Sequence, residues 1–234
     1  GNPYLYPSQN YNADLKWEYF PKNDELISVT AFGKYIVDPI NQITLASSTN
    51  DISFINTGDF GTVLGIELEI RKNLFEFESD LNNKLSLGFN ASLMKTDQEL
   101  DSEKVRNETD YNINLTHRKS GFTGASDFLV NADLSYTKDF QNDKNITATL
   151  IYAHYSDRLY ALGIEQKGNL VDKGMGSLDF VLKTKMNKNL GINLNARNLL
   201  NPTFKRVQEN AGGDVPVLDY KKGIFLGLGI DYRF

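Results

Sequence analysis

No cysteine occurs in the chain, which excludes a disulfide framework, thiolate metal sites and a cysteine nucleophile. The only two histidines, His117 and His154, fall in a loop and a strand respectively, so a histidine metal cluster is excluded as well. There is no block of basic residues, and a net charge of -5 with a pI near 5.1 disfavours binding nucleic acid through its phosphates. Nor is there the run of roughly 18 apolar residues that a spanning helix needs, which rules out a helical membrane protein. A transmembrane β-barrel stays open, because only alternate residues of its strands must be apolar, and a mean hydropathy of -0.41 is no objection. The opening GNPYLYPSQN lacks the charged start and apolar stretch of a signal peptide. The expectation is that a leader was removed or that the chain begins inside a longer protein. At 234 residues there is material for one large domain or two small ones.

Helical periodicity is almost missing, but alternation with a period of two runs from end to end. Tyr11, Ala13, Leu15, Trp17 and Tyr19 share one face of a first strand, against Asn12, Asp14, Lys16 and Glu18. A second sets Ile27, Val29, Ala31, Gly33, Tyr35 and Val37 against Ser28, Thr30 and Lys34, with Phe32 as an exception. Further strands follow in TVLGIELEI, KLSLGFNASLMK, FLVNADLSY, NITATLIYAHYS, SLDFVLKTK and LGINLNARN. The sixth of the series is ambiguous in phase, since Ala148, Leu150 and Tyr152 compete with Ile151, Ala153 and Tyr155. The ninth is the terminal GIFLGLGIDYRF. Its Leu226, Leu228, Ile230, Tyr232 and Phe234 oppose Gly227, Gly229, Asp231 and Arg233.

The connections alternate between short (PKND, QNDKN, NKN) and long, near 38–60, 96–125, 157–175 and 199–219, with a moderate one at 73–83. Tight turns at one end and long loops at the other are the layout of an outer-membrane barrel. The rival is a soluble sandwich or closed barrel whose apolar face points to a core. Three features favour the membrane. The strands are about ten residues long, as a tilted crossing needs. The second face carries Asp, Glu, Lys, Asn and Arg, as a wet or plugged lumen would. Aromatics gather beside the short turns: Trp17 and Tyr19, Tyr136 and Phe140, Tyr232 and Phe234. About nine strands is odd for a bacterial barrel that begins and ends in the periplasm, so residues 1–234 are expected to be the C-terminal portion of a larger barrel.

At this point a resemblance enters. GNPYLYPSQNYNADLKWEYF, LISVTAFGKYIVDPI, NTGDFGTVLGIELEI and LNARNLLNP, in this order, resemble late barrel segments of TonB-dependent outer-membrane receptors, of a type found in Bacteroidetes-like bacteria. The ending Leu228, Ile230, Tyr232, Phe234 is similar to the signal read by the barrel-assembly machinery. The resemblance implies an up-and-down barrel of about 22 strands around a plug. It also implies outer-membrane lipid as surroundings, TonB as energy-coupling partner through an N-terminal region, and a surface lipoprotein as a further partner. The plug domain and coupling box are absent from this sequence.

Few residues invite chemistry. His154 and Ser156 stand two apart, as a base and nucleophile of a barrel phospholipase would, with Asn169 as a third member. Without an oxyanion donor, the plainer reading is the polar end of a strand. Asp97, Glu99, Asp101 and Glu103 alternate like calcium ligands but lack the turning glycine of an EF-hand, and read as a solvated run. FLGLG has neither helix nor lysine after it, so it is no phosphate loop, and its glycines are expected to relieve crowding inside the wall. Glu67 and Glu69 would be hydrated or touch a plug or solute. Tyr111, His117, Arg118 and Lys119 lie in the longest loop, where ligand contacts are expected.

The sequence therefore reads as all-β, without cofactor, metal or catalysis. The expected function is import of a scarce nutrient (a siderophore, cobalamin, glycan or peptide) across an outer membrane. A structural or adhesive barrel is the alternative, and an outer-membrane lipid hydrolase a third.

Overall fold

The computed structural model describes residues 1–45, 51–77 and 83–234. β1 (Gln9–Tyr19) and β2 (Leu26–Val37) form a hairpin, after which the chain makes a smaller one of β3 (Ile40–Thr44) and β4 (Ile52–Asn56). The long β5 (Phe60–Glu76) and β6 (Asn83–Glu99) follow, then a short helix α1 (Ser102–Glu108) and β7 (Lys119–Ser120). Next come β8 (Phe128–Phe140), β9 (Lys144–Tyr155), β10 (Arg158–Ala161) and β11 (Leu170–Asp172). The chain closes with β12 (Met175–Lys185), β13 (Leu190–Arg197), β14 (Thr203–Gln208), β15 (Val215–Lys221) and β16 (Phe225–Tyr232).

Nine of these make one up-and-down antiparallel wall in the order β1-β2-β5-β6-β8-β9-β12-β13-β16. They are the nine alternating segments of the sequence. The register carries one face across the sheet: Trp17 pairs with Val29, Val29 with Leu68, Leu68 with Ala91, Ala91 with Val130 and Val130 with His154. A second row joins Leu134, Leu150, Phe180, Ala196 and Leu226. Pairing thus settles the phase of β9, placing Ala148, Leu150 and Tyr152 with the apolar face and Ile151, Ala153 and Tyr155 with the other. A bulge between Asn73 and Phe75 shifts the phase of β5, so that odd-numbered Phe75 joins the face held higher up by even-numbered Ile66 and Leu68. Between β8 and β9 the tight turn is made by Asn142 and Asp143, both at positive φ, which these two residue types tolerate best after glycine. The turn expected at 73–83 is narrower, since β5 runs to Glu76, and residues 78–82 lie outside the described residues.

The long loops are not irregular. They contain a helix that the acidic run 97–103 did not reveal, because seven residues with a single buried apolar one, Val105, have no period to read. Asp101 begins it, accepting from the backbone N–H groups of Glu103 (2.8 Å) and Lys104 (3.0 Å). Loop segments also form a four-stranded sheet, β10-β11-β14-β15, and the β3-β4 hairpin.

Candidate functional site

On the apolar face of the wall, large side chains stand in the open: Leu15 is 77% exposed, Leu64 67% and Leu228 70%. Each such side chain forgoes on the order of 1 kcal/mol of burial. Summed over the band, this reaches the whole 5–15 kcal/mol by which a domain is typically stable. A face of this kind needs an apolar solvent. Rings mark both borders. At the loop end Tyr11 pairs across strands with Tyr35, which stacks on Phe60 at 5.5 Å. At the turn end Trp17 stacks on Tyr19 (6.3 Å), Phe75 meets Phe77 (5.8 Å) and Tyr232 meets Phe234 (5.1 Å). The ammonium of Lys138 lies 5.1 Å from the Phe140 ring in the same border. From Tyr11 to Tyr19 the strand rises about 27 Å. Tilted by 35–45°, it covers roughly 19–22 Å, close to the about 25 Å apolar band of outer-membrane barrels.

The opposite face is polar and cross-linked by its side chains. Lys16 pairs with Glu18 (2.7 Å) and Arg71 with Glu69 (2.6 Å). Asn131 donates to Asn90 (2.9 Å), and Ser135 and Thr149 share a hydrogen bond (2.9 Å). At the loop end of this face a cleft of about 590 Å³ opens between β1, β2, β5 and β6 and is roofed by Phe122.

Above the wall, the loops have the dry interior that the wall lacks. Ile43, Ile55, Leu100, Val105, Ile113, Leu115, Leu162 and Ile164 pack into one buried cluster drawn from three loops. Beside it, Asn41, Thr57 and Gln98 are buried but fully partnered. Asn41 donates to Thr57 (2.7 Å) and Gln98 (2.8 Å), Gln98 donates to the Gly121 carbonyl (2.8 Å), and the Thr123 N–H donates to Asn41 (3.0 Å).

In the loop sheet, Asp172 on β11 is 1% exposed and lies between Arg206 (2.5 Å) and Arg158 (3.1 Å), its neighbours in register. The Arg206 guanidinium also covers the Tyr160 ring. Burial by itself would lower the pKa of Arg206, but its contacts with Asp172 and Tyr160 together offset this and the net shift is upward. Lys104 on α1 ties the first two loops together through Asp38 (3.4 Å) and Asp59 (3.2 Å), and also pairs with Glu108 on its own helix (3.1 Å). Burial opposes its charge, yet contacts with Tyr6, Glu108 and Asp59 hold its pKa above the ordinary lysine value.

A model of the outer membrane protein beta-barrel family matches residues 1–222. The chain belongs to that family. Neither a curated protein nor a solved structure matches it. As an outer membrane β-barrel protein it resides in the bacterial outer membrane, its apolar face against lipid. Among the described residues the barrel is not closed, for β1 and β16 each pair on one side only.

Within this outer-membrane barrel protein the sequence-derived candidates separate. The Tyr111 ring packs against the loop core, its hydroxyl 2.9 Å from Ser53 Oγ, which makes it an anchor of the loop layer. His117, Arg118 and Lys119 are exposed beside the β6-β7 pairing, with Lys119 3.6 Å from Glu99. Leu228, Ile230 and Tyr232 stand on the lipid face of β16, and Phe234 follows fully exposed. His154, Ser156 and Asn169 are engaged separately: the His154 ring lies 6.2 Å from that of Phe128, Ser156 Oγ accepts from the Phe128 N–H (3.0 Å), and Asn169 accepts from the Gly163 N–H (3.0 Å). Among the described residues no group of three or more metal-binding side chains occurs, and of the loop acids Asp101 is the helix cap. Crowding does not explain the glycines of FLGLG: a Cβ on Gly229 would meet its nearest atom at 3.7 Å, an ordinary contact. The crowded glycines are elsewhere, as at Gly65, whose missing side chain is replaced by the Phe32 ring. Asn41, Gln98, Asp172 and Arg206 carried no signal in the sequence, since isolated polar residues in loops have no period.

Proposed function

We propose that this protein is a section, the C-terminal portion, of the wall of a larger receptor barrel that imports a scarce nutrient across the outer membrane with energy coupled through TonB, binding its solute without covalent chemistry. The observation that carries this reading is a polar, partly ion-paired wall face beneath a folded loop layer, with a cleft at their junction. A wet interior below a structured exterior mouth suits capture of a solute from outside. Strand direction supports the larger barrel. β1 and β16 both run from the loop end to the turn end, so pairing them directly would be parallel. Antiparallel closure needs an odd number of further strands, giving the even total of bacterial barrels.

The folded loop layer also favours a second reading, a structural or adhesive barrel, because a rigid exterior needs no solute. The two separate in an uptake experiment. With the gene deleted from its host under nutrient limitation, loss of a solute uptake that a protonophore also abolishes is the expected result. Unchanged uptake of a broad solute panel, with weakened adhesion or envelope integrity, would establish the second reading instead.

A further inference from the structure

The cleft at the junction of wall and loops differs from the rest of the polar face. Two aromatic rings seated on glycines of β5 frame it: Phe122, reaching down from the loops as the roof, lies over Gly61, and Phe32 from β2 lies over Gly65. In both places a Cβ would collide with the ring, so the glycines are what allow the rings to lie on the backbone. Four residues along a strand is about 13 Å. Between the rings lie Val63 and Met94, leaving an apolar strip that accommodates one side chain of a ligand. This explains why Phe32 interrupts the polar parity of its strand.

The charges around that strip are Asp14, Glu67 and Lys34. Lower on the same face Lys16, Glu18, Glu69 and Arg71 are paired with one another, whereas none of these three makes an ion pair among the described residues. A neutral ligand laid over them would strip their water without replacing it. A ligand with an ammonium and a carboxylate replaces that water with ion pairs, and two acids against one base call for an excess of positive charge. The cleft volume of about 590 Å³ falls within the roughly 300–1,000 Å³ of small-ligand sites.

We propose that this cleft binds a short basic peptide, its apolar side chain between Phe32 and Phe122, its cationic groups on Asp14 and Glu67 and its carboxylate on Lys34. The proposal rests on the transport reading and names its substrate class. Calorimetric titration of the whole protein, folded in detergent, tests it with three probes: lysyl-phenylalanyl-alanine, glutamyl-phenylalanyl-alanine and maltotriose. The basic peptide is expected to bind one to one, at least tenfold more tightly than the acidic peptide or the sugar, and more weakly as salt is raised. Asp14→Asn combined with Glu67→Gln should weaken it at least tenfold, and Phe122→Ala should do the same with the charges intact. Lys34→Met should weaken the free acid but not its C-terminal amide. Heat-modifiable mobility on gels confirms that each variant is folded. Equal affinity for the three probes, or undiminished affinity in the folded double variant, would overturn the proposal. So would energy-dependent uptake of another solute with no peptide binding, an outcome that leaves the transport reading standing.

Discussion

Phe32 and Gly65 face each other across β2 and β5, and the ring occupies the volume a side chain on Gly65 would need. Gly65→Ala is therefore expected to cost about 1–3 kcal/mol through overpacking. Adding Phe32→Ala should recover the part of that cost that comes from the ring and leave the part that comes from the Leu93 carbonyl oxygen, 2.8 Å from the added Cβ. This partial non-additivity is read from a double-mutant cycle of denaturant unfolding in detergent. Exposure decides other single positions by face. Leu228→Arg puts a charge in the lipid band and should cost about 2–4 kcal/mol near the bilayer midplane, seen as lost yield of heat-modifiable protein in membranes. Its neighbour Gly229 faces the open polar side with room for a side chain, so Gly229→Ser should assemble at the normal yield. Equal yields for the two variants would contradict the assignment of faces.

Among the elements, the loop layer behaves as a unit because its core, its polar network and its ion pairs each join segments distant in sequence. Ile43 on β3 is fully buried beside Leu162, so Ile43→Ala should cost about 2–5 kcal/mol and open the loops to protease while the wall stays heat-modifiable. Asp172→Asn would leave two arginines around a neutral group in a buried site. About 3–5 kcal/mol of local stability should be lost, measured as faster amide exchange across β10, β11 and β14.

A third contact makes the layer sensitive to acid. Burial works against the charge of Asp157, but donation from the Gly174 N–H (2.7 Å) and from Lys173 (3.0 Å) outweighs it, and its pKa is held below the ordinary 3.8. A carboxylate lowered on folding contributes stability that is complete above its unfolded value and lost as pH falls through the folded one. Protease access to residues 157–174 should therefore rise only below about pH 3.8, and Asp157→Asn should remove that dependence.

For the whole molecule, the single tryptophan is a built-in probe. Trp17 is 58% exposed on the apolar face at the turn-end border. In bilayers it should show blue-shifted emission, strong quenching by lipids brominated near the headgroup and weak quenching by iodide. Iodide quenching equal to that of free tryptophan would mean that this face looks into water, and the membrane assignment would fail. The same geometry explains why the exposed apolar face and the dry loop core coexist. Hydrocarbon covers the first, and only the parts above the membrane must bury their own apolar side chains.

How much of this was legible in the sequence depended on periodicity. Alternation repeats over ten or so residues and survives single exceptions, so nine strands, their order, the apolar face and the aromatic border at the turn end followed from the chain itself, while the loop-end border of Tyr11, Tyr35 and Phe60 emerged only from the pairing. The ambiguous β9 and the shifted end of β5 needed the register, because a bulge or a locally balanced pattern erases the parity that the reading relies on. The loop layer was hidden altogether: α1 has one buried apolar residue, and Asn41, Gln98, Asp172 and Arg206 acquire their roles only when segments far apart in sequence meet. Sequence by itself determined that one face of the wall is apolar and the other polar, since residue type and a spacing of two fix both, whereas only the fold shows the apolar face standing open instead of packed on a core. Tertiary structure alone decided which loop residues are anchored and which charges in the cleft remain unpaired, since those depend on distances that no local pattern encodes.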